Sequence, residues 1–124
     1  MLARWGFGAA PADPRARGAW AEARVAWRYR LRGWRIAARN WVGGGGELDI
    51  VASRWHTLVV VEVRERPDHA AALASVDAEK VRRTMAAAQA LVGRLGLERY
   101  RLRFDIALVD PSGRIALRRD ITAA

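Results

Sequence analysis

The chain has no cysteine, which removes disulfides, thiolate metal sites and cysteine nucleophiles at once. Two histidines, His56 and His69, are too few for a histidine-rich zinc site and are expected as exposed polar residues. The longest apolar run, centred on Leu58 to Val61, covers only about five residues and cannot span a bilayer. The opening stretch MLARWGFGAAPADPRARG lacks an apolar h-region and a cleavage pattern, so no secretory signal is expected. A cytoplasmic location with no membrane partner is the expectation that follows. Lysine is almost missing too: Lys80 is the sole one, and the other 21 basic residues are arginine. Alanine is abundant beside them, the mark of a compositional bias, so an arginine where chemistry would want lysine can be drift.

What is present fits one domain. A chain of 124 residues, 52% hydrophobic, is long enough for a single core and too short for two. Residues 1–12, with Gly6, Gly8 and Pro11 around Trp5 and Phe7, read as a flexible arm, and residues 13–124 as the domain. The balance of 22 basic against 13 acidic residues leaves a net charge of +9. A surplus of that size on a small domain favours polyanions, nucleic acid first.

Asp13 before Pro14 is a helix start, and the helix runs to about Leu31 before Gly33 stops it. Its wheel separates an apolar stripe (Ala16, Ala19, Trp20, Ala23, Ala26, Trp27 and Leu31) from a basic one (Arg17, Arg24, Arg28 and Arg32). The first is expected as core, the second as a solvated face that is also a candidate for phosphate contacts. Glu22 lies on neither stripe. It shares a flank with Gly18, Val25 and Tyr29, from which its carboxylate could reach a neighbouring site or pair with an arginine. Trp34 to Trp41 alternates as a strand, and the glycines from Gly43 to Gly46 break it. No Lys-Ser/Thr pair or helix follows them, so a Walker phosphate loop is excluded; they permit a tight turn or close approach of a ligand backbone. Residues 67–74 read as a loop carrying His69. A second helix starts near Ser75 to Asp77, repeats Val81, Thr84, Met85, Ala88, Leu91, Val92 and Leu95 at helical spacing, and ends at Gly96. Leu102 to Val109 and Arg114 to Ile121 are strands around a Pro111-Ser112-Gly113 turn. The predicted order is α-β-β-β-α-β-β, an α/β fold whose third strand crosses over through the second helix.

The chemistry concentrates between Gly43 and Arg66. Glu47 to Ser53 and Thr57 to Arg64 are β-branched, roughly alternating runs with a short Arg54-Trp55-His56 link, the pattern of a hairpin. With the turn centred between Trp55 and His56, the pairing sets Asp49 opposite Glu62 and Glu47 opposite Arg64, all on one side of the sheet. Carboxylates opposed in this way lie about 5 Å apart and repel by roughly 3 kcal/mol at an effective dielectric of ~20. The arrangement is tolerable if one carboxyl is protonated, if an arginine sits between them, or if a cation does. A hard divalent ion such as Mg²⁺, or Mn²⁺ in its place, needs few protein ligands, and Asp49, Glu62 and the Val63 carbonyl would suffice.

Gly18 with Glu22, Asn40 ahead of the glycines, Gly46-Glu47-Leu48-Asp49-Ile50-Val51, Val61-Glu62-Val63-Arg64-Glu65-Arg66, Val76 with Lys80, and Arg103-Phe104-Asp105 together resemble the YraN family of small bacterial proteins. That family is similar to the restriction-endonuclease-like superfamily, archaeal Holliday-junction resolvases included, and its members are predicted Mg²⁺-dependent nucleases. The resemblance implies a restriction-endonuclease-like core with a mixed sheet between helices. It implies Asp49 and Glu62 as metal ligands, Glu22 as an auxiliary ligand through water, DNA as partner and a homodimer as in the resolvases. Arg64 stands where the family usually has lysine. A guanidinium stays protonated above about pH 12 and cannot act as a base, although it can orient water or offset charge on a phosphorane. Arg66 matches the family's basic residue, Glu65 replaces a small polar one and adds negative charge, and Lys80 keeps a lysine that could serve the site from another direction.

Three functions compete. The first is a metal-dependent endonuclease using Asp49, Glu62, Arg64 and Glu22, with DNA held by Arg17, Arg24, Arg28, Arg32, Arg66 and Lys80. The second is a DNA-binding module on the same scaffold, catalytically weak because of Arg64. The third makes Asp49 and Glu62 partners of Arg64 and Arg66 in a structural network, which would cost desolvation and stabilise little.

Overall fold

Asp13 accepts the Ala16 amide at 2.9 Å and Pro14 occupies the first turn, where a missing N–H costs nothing; α1 (Pro14–Leu31) starts there, as its sequence dictates. The computed structural model describes residues 8–121, so Trp5 and Phe7 of the expected arm lie outside the described residues. Residues 8–12 run beside α1: the Gly8 carbonyl accepts from the Trp20 indole, and Ala10 packs on the core. Then follow β1 (Arg35–Gly43), β2 (Gly46–Arg54), β3 (Thr57–Glu65), α2 (His69–Ala74), α3 (Ala78–Leu95), β4 (Arg101–Val109) and β5 (Ile115–Arg118).

The five strands lie in sequence order. All neighbours are antiparallel except β3 and β4, whose parallel pairing requires the crossover that α2 and α3 supply. Helix α1 covers one face over Ile50, Ala52, Val59, Val61, Ala107 and Val109. Helices α2 and α3 cover the other over Leu48, Val51, Leu58, Val60, Phe104 and Leu108. Covered on both sides, β3 and β4 carry unbroken buried runs, 58–62 and 104–109, instead of alternation. Each large side chain buried there contributes roughly 1.5–3 kcal/mol. The architecture is the α/β layout of a restriction-endonuclease-like core, with a mixed sheet flanked by helices, and it differs from the predicted order only by one added helix.

That helix is α2, where the sequence suggested a loop. Asp68 accepts the Ala71 amide at 2.7 Å and alanines carry the turns that follow; six residues are too few to display a helical period. Helix α3 begins as expected, with Asp77 accepting the Lys80 amide, and closes at Gly96, whose φ of 66° is left-handed.

The face of α1 is a second correction. Trp20, Ala21, Val25, Ala26 and Tyr29 are its buried residues, whereas Ala16, Ala19 and Leu31 are exposed. The helix is turned so that its larger side chains, Val25 and Tyr29, meet the sheet, and alanines that looked apolar on the wheel gain little by burial. The glycines form a two-residue turn at Gly44 and Gly45, both with positive φ. The backbone that approaches them closely is the protein's own: a Cβ on Gly46 would sit 2.4 Å from the Arg83 carbonyl of α3.

Candidate active site

The β2–β3 ladder keeps the predicted register from Arg54 opposite Thr57 to Ile50 opposite Val61, and it ends there. Alternation slips at Asp49, because Leu48 and Val51 both pack on the α3 side while Ile50 packs on the α1 side. Asp49 therefore does not meet Glu62 as a simple cross-strand pair. Its Oδ2 accepts the Val63 amide at 2.9 Å, replacing the ladder bond that the slip removes. This clamp brings the two acids within reach of a hydrogen bond between their side chains.

Glu62 is only 3% exposed, on a strand buried from both sides. Burial, and then the neighbouring Asp49, push its pKa up to about 7, against the opposing pull of Lys80 and Arg64. Those two cations approach loosely: Lys80 Nζ from the first turn of α3 lies 3.6 Å from Oε2, and Arg64 Nε lies 3.5 Å from Oε1. The Arg64 contact lacks hydrogen-bond geometry, and that Nε is buried without an acceptor. The predicted Glu47–Arg64 pairing gives way to this contact with Glu62.

Glu22 faces the acids from α1. Burial and then Asp49 raise its pKa, while a hydrogen bond from Asn40 and Arg39 at 3.8 Å hold it toward ionisation. Sequence reasoning gave these last two no role, and the signal for Asn40 was its residue type: its φ of 52° is a left-handed conformation that asparagine tolerates better than most. Glu65, expected to add charge to the site, is neutralised by Arg17 at 2.9 Å.

These groups border one open cleft of about 730 Å³ at the end of the sheet, between the N-terminal halves of α1 and α3. Glu22, Asp49, Glu62, Val63, Arg64, Arg66, Lys80 and Arg17 all line it. Arg24, Arg28 and Arg32 do not. Arg24 donates to the Gly113 carbonyl and Arg28 to the Ile115 carbonyl, so the basic stripe of α1 bends toward β5 rather than toward the acids.

Among the described residues no group of three or more acidic or histidine side chains has the spacing of a closed metal cage. Mg²⁺ does not need one, since it keeps several waters and takes one or two carboxylates. The donor set here fits that demand: two adjoining carboxylates, one of them buried and held toward neutrality, with Glu22 nearby and oxygen atoms throughout. No helix among the described residues is long and apolar enough to cross a membrane.

The family model for the uncharacterised protein family UPF0102 matches residues 21–109. The chain belongs to UPF0102. This is the YraN family to which its motifs pointed, and the match contains Glu22, Asp49, Glu62, Arg64 and Lys80. Among its UPF0102 relatives, a protein from Rhizorhabdus wittichii is 42% identical over 66 residues, 53% of this chain and 56% of that protein. One from Herminiimonas arsenicoxydans is 43% identical over 72 residues, covering 53% and 54%. One from Cereibacter sphaeroides is 35% identical over 83 residues, covering 66% and 71%. The chain thus spans a little over half the length of the first two relatives.

Proposed function

We propose that this UPF0102 protein is a Mg²⁺-dependent DNA endonuclease that hydrolyses phosphodiester bonds in the cleft between α1 and α3, on branched or single-stranded DNA. One observation carries the reading: a buried carboxylate, Glu62, is set against a second one, Asp49, at the mouth of an open cleft, and the cations beside it stand too far off to satisfy it. Burying two acids together is unfavourable unless something else uses them.

A divalent ion held by Asp49, Glu62 and a main-chain oxygen such as that of Val63 would supply charge to polarise the scissile phosphate and acidify a water. The chain's own groups do the rest. Glu22 lies where it can hold a water against the acids. Arg64 cannot take a proton, so its part is to hydrogen-bond an incoming oxygen and offset charge on the phosphorane. Arg66 and Lys80, at the cleft edge, meet flanking phosphates. Cutting both strands of a four-way junction would take two such clefts, and hence a homodimer.

A second reading rests on Arg64 itself. With no side chain at that position able to accept a proton, the fold would bind DNA and cut it slowly or not at all. Cleavage of labelled single-stranded, duplex, flap and four-way-junction DNA with Mg²⁺ or Mn²⁺ separates the two. The nuclease reading expects cutting by the wild type that Asp49→Ala abolishes. A silent wild type with an active Arg64→Lys variant establishes the second reading, and silence in all three proteins removes both catalytic accounts.

A further inference from the structure

A second cavity, of about 360 Å³, opens at the other end of α1, lined by Arg28, Arg32, Trp34, Arg54, Arg103 and Arg119. Two of these arginines have structural duties. Arg103 grips Asp105 through two hydrogen bonds of 2.8 and 3.0 Å and lies 5.1 Å over the Trp34 ring. Arg54 lies 4.3 Å over the same ring and donates to the Arg32 carbonyl at 2.8 Å. The other three carry charge without an acid to meet it. Arg32 and Arg119 are exposed and form no ion pair among the described residues, and Arg28 has a long 3.4 Å contact to a carbonyl and a buried Nε with no acceptor. Burial, and then repulsion from Arg32 and Arg119, lower the Arg28 pKa. The last carbonyls of α1, which would repel an anion, are already taken by the amides of Arg32, Gly33 and Trp34 and by Arg54.

We propose that this arginine pocket is a phosphate-binding site separate from the acid pair, and that it anchors the sugar-phosphate backbone of a nucleic-acid strand. Guanidinium groups on three sides of a small cavity present the forked donors that phosphate oxygens take, and a bound phosphate would supply the missing acceptor for Arg28. From Glu22 to Arg32 the helix advances about 15 Å at 1.5 Å per residue. That length corresponds to about four base-pair steps of duplex, at roughly 3.4 Å per phosphate of one strand. Phosphate binding stands on the pocket alone; the assignment of that phosphate to a nucleic-acid backbone rests on the function proposed above.

The test uses the full chain and two double variants of equal charge change. Arg32→Gln with Arg119→Gln removes two exposed donors from the pocket, and Arg30→Gln with Arg118→Gln removes two exposed arginines outside it. Inorganic phosphate binding is measured by calorimetry and thermal shift, and DNA affinity is measured against salt concentration. We expect phosphate to bind the wild type and the outside variant alike and the pocket variant at least tenfold more weakly. The fall of log K with log salt should flatten by about two in the pocket variant, one per lost phosphate contact. Equal phosphate affinity in all three proteins, or an equal loss in both variants, overturns the site. A pocket-specific loss of phosphate binding with an unchanged salt slope overturns the backbone assignment and gives the site to a small phosphorylated ligand. Asp49→Ala should leave phosphate binding here unchanged, so failure of the nuclease reading and failure of this one are told apart.

Discussion

Two acids are buried side by side in this sheet, and their surroundings are opposite. Asp105 of β4 pairs in the ladder with Val61, one residue from Glu62 of β3, and the two side chains leave the sheet on opposite faces. Asp105 is fully buried and fully used: it accepts from Tyr29 at 2.7 Å, from Arg103 twice and from the Asp120 amide at 2.9 Å. Glu62 is almost as buried, yet its cations stand 3.5 and 3.6 Å away and its nearest companion is another acid. A saturated buried acid ties elements together, here α1, β4 and the chain after β5. An unsaturated one beside an open cleft stores unfavourable energy that a ligand can release.

The largest effect that would break this comparison is at Asp105. Asp105→Asn leaves the buried Arg103 guanidinium without its counter-charge and should cost about 3–5 kcal/mol of stability in urea unfolding, at every pH where the fold persists. A loss of less than about 1 kcal/mol would show that the cluster is not a lock.

Glu62 should behave in the reverse sense. Its folded pKa is raised, to about 7, from an ordinary 4.5 in the unfolded chain. Between those values the folded state binds more protons than the unfolded one, so stability should fall as pH rises through that window and level off above it. The total is at most about 3 kcal/mol. Glu62→Gln should flatten the slope and be the more stable protein at pH 8, measured without divalent metal. A wild-type profile flat from pH 5 to 8 would contradict the strain assigned to Glu62. The smallest effect is at Tyr29, whose hydroxyl proton is held by burial and by Asp105. Tyr29→Phe removes one hydrogen bond to a charged acceptor and should cost about 1.5–3 kcal/mol.

The sequence was informative where local chemistry decides the outcome. The Asp13-Pro14 cap, the Asp77 cap, the Gly96 stop and the hairpin register from Trp55 outward all follow from residues adjacent in the chain. Its limits appear where distant residues decide. The slip at Asp49 is a backbone irregularity that residue alternation conceals, because hydrophobic residues occupy both sides of β2. The buried face of α1 depends on what the sheet offers beneath it. Asp105 looked like one polar residue in a strand, and its role exists only once Tyr29, 76 positions earlier, lies above it. Of the site, the acids and Arg64 were legible as a pattern; the clamp on Val63, the hold on Glu22 by Asn40 and the turn of Arg24 and Arg28 away from the cleft required the fold.

The central claim is that Asp49 and Glu62 are together because they hold a divalent ion. Its most direct test is Mn²⁺ binding to the chelator-treated protein, followed by calorimetry and by loss of the free-ion paramagnetic resonance signal, in the wild type and in Asp49→Asn. The account predicts one bound ion per chain in the wild type, displaced by excess Mg²⁺ and lost in the variant. A wild type that binds no ion at millimolar concentration, or a variant that binds it equally well, would contradict it.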